Sequence, residues 1–412
     1  MENTANIEFD WKRARLRQRT RVSTNAFAVV LIACAALSAL LASWVPLQFS
    51  IVTVFLFAGP HNWFEARYFL MRLPARFGRS RNFFLLAFAG IALLTLAYVS
   101  LPALYYSGAW SGANWPNALA VWSTSLVLWI ATLVWLRGRQ KLGRDWSWIF
   151  PVAFGSISLN WLAPELFSLA IVYAHPLVAL WFLDRHLRRT RPEWLPTYHR
   201  CLALVPLLIV GMIWQLSRVP SLADDNGLAW RITQHAGAQL LPNVSTHLLV
   251  SMHVFLEMLH YGVWLVALPL IGVRGGTRGK VWEVKTIPLA RHPRGFPRLI
   301  LGALAFGLFL VLVLWFGFSV NYAATRDIYF AVAIAHVLAE APFLLRMIKL
   351  PRGLTDTWIR FSFAALRVCS EVRLCLTDRI IMESWRLRLQ FEAQRLLHHG
   401  RAANNCLSAA IF

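Results

Sequence analysis

Long apolar runs, separated by short polar segments, dominate this chain of 412 residues. A helix needs roughly 20 predominantly apolar residues to cross the hydrocarbon core of a bilayer. Apolar residues make up 58% of the chain and charged residues only 15%, which leaves too little polar surface for a soluble protein of this size. The sequence therefore predicts an all-α, polytopic membrane helix bundle with about ten transmembrane helices. We expect them at about residues 25–45, 49–70, 82–103, 117–136, 147–163, 165–184, 201–217, 245–271, 299–320 and 327–347.

The basic residues are distributed unevenly among the connecting segments. They cluster in the first 24 residues and after every even-numbered span, whereas the loops after odd-numbered spans contain few. Because cytoplasmic loops carry an excess of Lys and Arg, this alternation predicts a multi-pass protein of the cell inner membrane with both termini in the cytoplasm. The same alternation explains the net charge of +22, because the basic residues lie in cytoplasmic loops. We therefore expect the lipid bilayer as a partner and no nucleic acid. We expect a basic cytoplasmic segment at 1–24, a transmembrane bundle at 25–347 and a basic, helical cytoplasmic tail at 348–412.

Histidine and glutamate recur inside the predicted spans, where ionisable side chains are costly and indicate a functional site. The pattern HxxxE occurs three times, and its i, i+4 spacing places both side chains on one helical face. The three copies are His61 and Glu65 in span 2, His253 and Glu257 in span 8, and His336 and Glu340 in span 10. His175 in span 6 and His260 in span 8 complete the candidates. Proline, which kinks a helix and opens space, lies beside three of these positions, at Pro60, Pro176 and Pro342.

The depths of these candidates predict a shared site. All four spans are even-numbered and therefore run in the same direction across the membrane. At 1.5 Å per residue, the five histidines lie within a slab of about 10 Å near mid-membrane. We expect the metal ligands to be His61, His175, His253, His260 and His336. We expect the catalytic carboxylates, acting as ligands, as acceptors that orient a histidine N–H or as proton carriers, to be Glu65, Glu257 and Glu340.

One of these segments resembles a family motif. The run Ala58-Gly59-Pro60-His61, with Glu65 four residues after the histidine, resembles the GxPHGAxD signature of the Brp/Blh family. Ala58 and Asn62 stand where the signature has its glycines. Members of that family are polytopic membrane proteins that cleave β-carotene to retinal with an iron ion held by four histidines from different helices. The resemblance implies that His61 is an iron ligand and that Glu65 takes the place of the family's acidic residue.

The ligand types restrict the chemistry without fixing it. Imidazole and carboxylate suit iron, zinc or copper, and iron with open coordination positions supports oxygen chemistry. The preferred hypothesis is an iron-dependent, non-haem oxidative enzyme that acts on a lipophilic substrate such as an isoprenoid or lipid. One alternative is a membrane electron-transfer subunit that binds haem b through two histidines at equal depth. Another is a proton-coupled transporter in which His and Glu side chains relay protons.

Overall fold

The computed structural model describes residues 23–107, 115–140, 146–223, 227–272, 284, 287–293 and 295–348. Apart from residues 23, 24 and 348, the predicted basic segment 1–24 and the predicted helical tail 348–412 lie outside these ranges. Within them all regular structure is helical, and there is no β-strand. The all-α prediction is therefore confirmed for this part of the chain.

We number the α-helices in chain order. They are α1 Thr24–Trp44, α2 Pro46–Arg72, α3 Arg81–Tyr106, α4 Trp115–Arg139, α5 Ile149–Leu162, α6 Pro164–Thr190, α7 Leu195–Leu202, α8 Leu204–Leu216, α9 Leu228–His235, α10 Thr246–Gly262, α11 Leu268–Gly272, α12 Pro288–Arg291, α13 Pro297–Val320 and α14 Tyr322–Met347. Short 3₁₀ turns at Gly78–Ser80 and Pro192–Trp194 precede α3 and α7. A π-turn at Val263–Ala267 joins α10 to α11.

Eight helical segments in the described part of the chain are long and apolar enough to cross a membrane. They are α1, α3, α4, α6, α13 and α14, together with the stretches Pro192–Leu216 and Thr246–Ile271. The other two predicted spans are also helical. Helix α5 has 14 residues and a length of about 21 Å, shorter than a bilayer core. Helix α2 has 27 residues, but its second half is polar. The structure is thus compatible with a membrane helix bundle, and the count of ten spans and the side of each terminus stay predictions.

The seventh predicted span differs in structure from the expected single helix. It begins earlier, at Pro192, and the chain leaves the helix at Ala203, between α7 and α8. Pro206 lies in the first turn of α8 and has no backbone N–H to donate to the carbonyl of Leu202. The missing hydrogen bond explains why two short helices replace one long one.

Helix α10 lies at the centre of the bundle. In the most apolar stretch of Thr246–Ile271, 67% of the residues are buried, compared with 11% in Pro297–Val320. Helix α10 packs against α1, α2 and α6, whereas α14 packs against α2, α3, α4 and α6. Side chains from α2, α6 and α14 therefore reach a common region beside α10.

Tryptophan side chains connect neighbouring helices through their indole N–H groups. On α4, Trp122 and Trp129 donate to the carbonyl oxygens of Leu94 and Leu86 on α3, at 2.9 and 3.0 Å. Gly90 makes this contact possible, because a Cβ there would lie 1.9 Å from the indole nitrogen of Trp129. The indole of Trp315 on α13 likewise donates to a carbonyl oxygen of α2, at 2.8 Å. Such bonds fix helix rotation, and therefore which face of α2 points inward.

A cap fixes the start of α14. Helices α13 and α14 are separated only by Asn321, whose Oδ1 accepts a hydrogen bond from the backbone N–H of Ala324 at 3.0 Å. Side-chain capping of this kind satisfies a backbone donor that would otherwise lack a partner at the helix start. The cap therefore contributes to the register at which α14 presents His336 and Glu340 to α10.

Candidate metal centre

Four of the five predicted histidine ligands meet in the interior of the bundle. Their rings come from α2, α6, α10 and α14, one from each helix. The centroid of the His61 ring lies 5.4 Å from that of His260 and 5.2 Å from that of His336. The ring of His175 lies 4.7 Å from that of His260 and 5.2 Å from that of His336. The four imidazoles thus form a closed ring of neighbours around one point.

Two glutamates complete this group. Glu65 forms one set of converging donors with His61, His260 and His336, in which the ligand atoms all lie within 4.8 Å of one another. Glu340 forms a second such set with His175 and His260. His260 belongs to both sets, so they are two overlapping halves of one site. We call His61, Glu65, His175, His260, His336 and Glu340 the six-residue cluster.

The HxxxE spacing does not decide which glutamate meets which histidine. Glu340 Oε2 lies 3.2 Å from Nδ1 of His175 on another helix, although His336 is the histidine of its own motif. Among the three copies, the one in α10 has its two side chains close together: His253 Nε2 lies 3.4 Å from Glu257 Oε1. Carboxylates of the cluster therefore act across helix boundaries, and helical periodicity cannot show this.

The tautomer of His61 follows from its hydrogen bond. Nδ1 of His61 lies 2.9 Å from the carbonyl oxygen of Phe57, one turn earlier on α2. A carbonyl can only accept, so Nδ1 carries the proton and Nε2 has a free lone pair. Nε2 is buried and has no hydrogen-bond partner among the described residues. This is the arrangement expected of a metal-ligating histidine, whose other nitrogen donates to a backbone carbonyl.

Several further polar atoms of the cluster are buried without a hydrogen-bond partner in the described part of the protein. They are both ring nitrogens of His260, Nδ1 of His175 and of His336, both carboxylate oxygens of Glu65 and Oε1 of Glu340. Burying such groups unpaired costs about 1–3 kcal/mol each, and more for a charged carboxylate. A bound cation would be coordinated by one ring nitrogen of each histidine and by carboxylate oxygens, and nitrogen and oxygen donors fit iron or zinc.

Each of the four helices has a backbone irregularity close to the cluster. Pro60, Pro176 and Pro342 lie inside α2, α6 and α14, next to His61, next to His175 and two residues after Glu340. The fourth irregularity is the π-turn Val263–Ala267, which begins three residues after His260. Turns of this kind are frequent at functional sites. The prolines are visible in the sequence, whereas the π-turn is not.

The remaining predicted residues lie in a second group. His253 and Glu257 belong to neither set of converging donors, and His253 precedes His260 by about 10 Å along α10. The ring of His253 lies 5.0 Å from that of His235, at the end of α9. Arg326 on α14 is 3% exposed, and its charge acts on Glu257. We call His235, His253, Glu257 and Arg326 the Glu257 group.

Arg326 is the main functional candidate that sequence reasoning missed. It lies one residue before the predicted start of span 10, where an arginine looks like part of a loop. In the structure α14 begins at Tyr322, so Arg326 is inside the helix. Fourteen residues, or about four turns, separate it from Glu340, which places both on similar faces. If the predicted helix of span 10 had been extended toward the N-terminus with the same periodicity, Arg326 would have been found on the face of Glu340.

One cavity adjoins the six-residue cluster, and a second cavity shares a wall with the first. The first, of about 120 Å³, is lined by cluster histidines and by His235, His253 and Glu257, so it connects the two polar groups. The second, of about 840 Å³, is almost entirely apolar and lies between α2, α3, α13 and α14. Tyr329 lines both cavities.

No protein-family model, curated protein or solved structure matches the chain.

Proposed function

We propose that this protein is a membrane metalloenzyme that holds non-haem iron in the six-residue cluster and oxidises a lipophilic substrate, an isoprenoid or a lipid. The observation that carries the proposal is the convergence of four imidazoles and two carboxylates, most of whose polar atoms are buried without partners. The alternation of basic loops supports placement in the cell inner membrane with both termini in the cytoplasm.

The metal ligands would come from the histidines of the cluster. His61, His175, His260 and His336 would bind through ring nitrogens, and Glu65 and Glu340 would either bind or hold the rings in place. Iron held in this way with open positions supplies oxygen chemistry. Glu340, beside Nδ1 of His175, is placed to accept that ring's proton and to orient its other nitrogen.

The apolar cavity would bind the substrate, and the smaller cavity would receive protons. The apolar cavity of about 840 Å³ is large enough for a drug-sized molecule and suits a hydrocarbon chain. Tyr329 lines both cavities, Tyr261 lines the smaller one and Asn62 lines the apolar one, so these three residues would orient the substrate beside the cluster. In the Glu257 group, Glu257 Oε1 and His253 Nε2 lie close enough to share one proton and would deliver it to the smaller cavity.

The sequence resemblance to the Brp/Blh family supports the same proposal. That family uses four histidines from different helices, and the cluster here contains four histidines on α2, α6, α10 and α14. His61 and Glu65, the residues that carry the resemblance, are both members of the cluster. A carotenoid is therefore one substrate within the isoprenoid class that we propose.

The haem alternative is less well supported. The cavity beside the histidines has a volume of about 120 Å³, whereas pockets for small molecules commonly measure about 300–1,000 Å³. The four rings are neighbours on all sides, with centroid distances of 4.7 to 6.1 Å, so a porphyrin would have to separate them.

Proton-coupled transport remains a second candidate because of one observation. The smaller cavity continues from the cluster to His253, Glu257 and His235, and a series of titratable groups is what a proton path requires. The metalloenzyme requires a metal in the six-residue cluster, whereas proton-coupled transport does not.

Elemental analysis of the full-length protein purified in detergent, together with a visible spectrum, tests the proposal. We expect bound iron without a Soret band, and loss of the iron in His61→Ala and His336→Ala. His247→Ala is the matched control, because His247 lies on α10 outside the cluster and donates to the carbonyl of Ser43 at 2.9 Å. A colourless protein without metal, active in proton flux, would favour transport instead, and a Soret band would favour haem.

A further inference from the structure

Arginines from four helices meet at one end of the bundle. Helices α2, α4, α6 and α14 each carry arginine in the last turn, including Arg72, Arg137, Arg189 and Arg346. Arg346 donates from Nη1 to the backbone carbonyl of Arg72 at 3.0 Å. The charge of Arg189 acts on both Arg137 and Arg346. We call these four residues the arginine cluster.

The arginine cluster has no counter-charge among the described residues. None of its members forms an ion pair with a carboxylate in that part of the chain. The nearest acid on α6, Asp184, is engaged by Arg188 at 2.7 Å and by His199 at 2.8 Å. Neighbouring like charges repel one another, and the repulsion grows where water is partly excluded. A bound anion would offset this repulsion between the arginine charges.

Two ordinary effects place arginines at such helix ends. Cytoplasmic loops are rich in basic residues, and cations are favoured near helix C-termini. These effects act on each helix separately and leave the side chains free to spread into solvent. Here Nε of Arg137 is buried without a hydrogen-bond partner among the described residues. Arg72, Arg137 and Arg346 are half-buried, whereas Arg189 is exposed at the edge of the arginine cluster. The partial burial of three guanidinium groups at one place therefore needs another explanation.

Neighbouring side chains hold the cluster in position. The guanidinium of Arg72 lies 4.8 Å from the ring centre of Tyr68 and donates from Nη2 to Nδ1 of His186 at 2.7 Å. That of Arg346 lies 5.0 Å from the ring centre of Phe84. Holding cations in place before a ligand arrives lowers the entropic cost of binding.

We infer that the arginine cluster is a binding site for a phosphate group, supplied either by a lipid headgroup or by free phosphate. Guanidinium groups match phosphate with paired, charge-assisted hydrogen bonds and remain charged at any physiological pH. The site lies outside the proposed metal centre, about 15 Å along α14 from His336, and does not depend on it. Leu70, Leu73 and Phe343, on the same helices, line the apolar cavity, so a lipid bound by its phosphate has apolar space beside it.

Binding to the full-length protein in detergent tests this inference. Native mass spectrometry would count bound dioleoylphosphatidylglycerol, with dioleoylglycerol, which lacks the phosphate, as the control lipid. Inorganic phosphate would be titrated at constant ionic strength, with chloride as the control, while the melting temperature is followed. Binding of the phospholipid identifies a lipid source, and a stabilising effect of inorganic phosphate alone identifies a free one. Either result supports the site.

Two arginine variants and one matched control make the result specific. Arg189→Gln and Arg137→Gln should weaken binding about tenfold or more, because each removes a charge-assisted contact. Arg139→Gln, an exposed position on α4 whose guanidinium stacks on Trp135 at 4.1 Å, should leave binding unchanged. Without phosphate, Arg137→Gln should raise the melting temperature, because it removes a half-buried cation whose Nε has no hydrogen-bond partner among the described residues, a change that a purely structural arginine would not give. Equal behaviour of the three variants, or no binding above the control lipid and chloride, would overturn the inference.

Discussion

The six-residue cluster and the Glu257 group share a cavity and the same residue types, yet they differ in charge compensation. In the Glu257 group, the charge of the buried guanidinium of Arg326 reaches Glu257, although the two side chains form no ion pair. In the cluster, Glu65 has Glu340 as its charged neighbour, and no lysine or arginine of the described chain acts on either carboxylate in this way. Unpaired histidine nitrogens occur in both groups. The charge balance, rather than the presence of histidine, therefore distinguishes the group that we propose to hold a cation.

The geometry of the two groups leads to the same conclusion. The cluster contains four imidazoles from four helices, with ligand atoms within 4.8 Å in each half. The Glu257 group has two histidine rings 5.0 Å apart and a carboxylate on the same helix as one of them. A metal needs several donors around one point, and only the cluster supplies them.

The largest effect is expected for His260, which belongs to both halves of the cluster. His260→Ala should abolish metal binding, with a loss greater than the roughly 10–100-fold typical for residues that only support ligands. His253→Ala, two turns earlier on α10, should retain the metal. Iron content per folded chain, measured by elemental analysis after gel filtration, checks both. Equal loss of iron in the two variants would show that the groups are one site.

A smaller effect is expected for the carboxylates. Glu65→Gln should lower metal affinity by about 10–100-fold, because Glu65 either binds the metal or holds a ligand in place. Glu257→Gln is the matched control, since Glu257 is the corresponding residue of another HxxxE motif outside both donor sets. Competition with a chelator of known affinity would give the ratio. A loss in Glu257→Gln as large as in Glu65→Gln contradicts the separation of the two groups.

Stability, rather than metal content, should respond to changes in the Glu257 group. Arg326→Met removes a buried cation whose charge reaches Glu257 without an ion pair between them, which should lower the free energy of unfolding by about 1–2 kcal/mol. Adding Glu257→Gln should restore part of this loss, because the uncompensated charge is then removed. Equilibrium unfolding in mixed detergent and dodecyl sulfate micelles measures the difference. Additive losses in the double variant would mean that the two residues do not interact.

The smallest effect is expected for Tyr329, on the wall between the two cavities. Tyr329→Phe removes the hydroxyl of a buried tyrosine that lines both cavities, which should cost at most about 1 kcal/mol of stability. Iron content should stay unchanged, while turnover of a lipophilic substrate should fall. The same variant thus separates positioning of the substrate from binding of the metal. Loss of iron would instead place Tyr329 among the groups that support the ligands.

The sequence by itself determined the helical membrane character of the protein and most members of its site. An apolar solvent penalises every unpaired backbone group and every isolated ionisable side chain, so long apolar runs indicate helices and buried His and Glu indicate a site. These penalties act residue by residue and can be read without knowing the fold. All six members of the cluster were accordingly among the predicted residues, and Arg326 was missed only because a span boundary was placed too late.

Only the tertiary structure decided how the predicted residues are grouped. Helical periodicity assigns a side chain to one face of its own helix, but the neighbour of that face depends on how helices rotate and pack. Hence Glu340 lies against His175 rather than His336, and His253 and Glu257, although they match the HxxxE pattern, lie apart from the cluster. The convergence of Arg189 with Arg137 and Arg346 has the same origin. In each case the partner comes from a different helix, and no spacing within one helix contains that information.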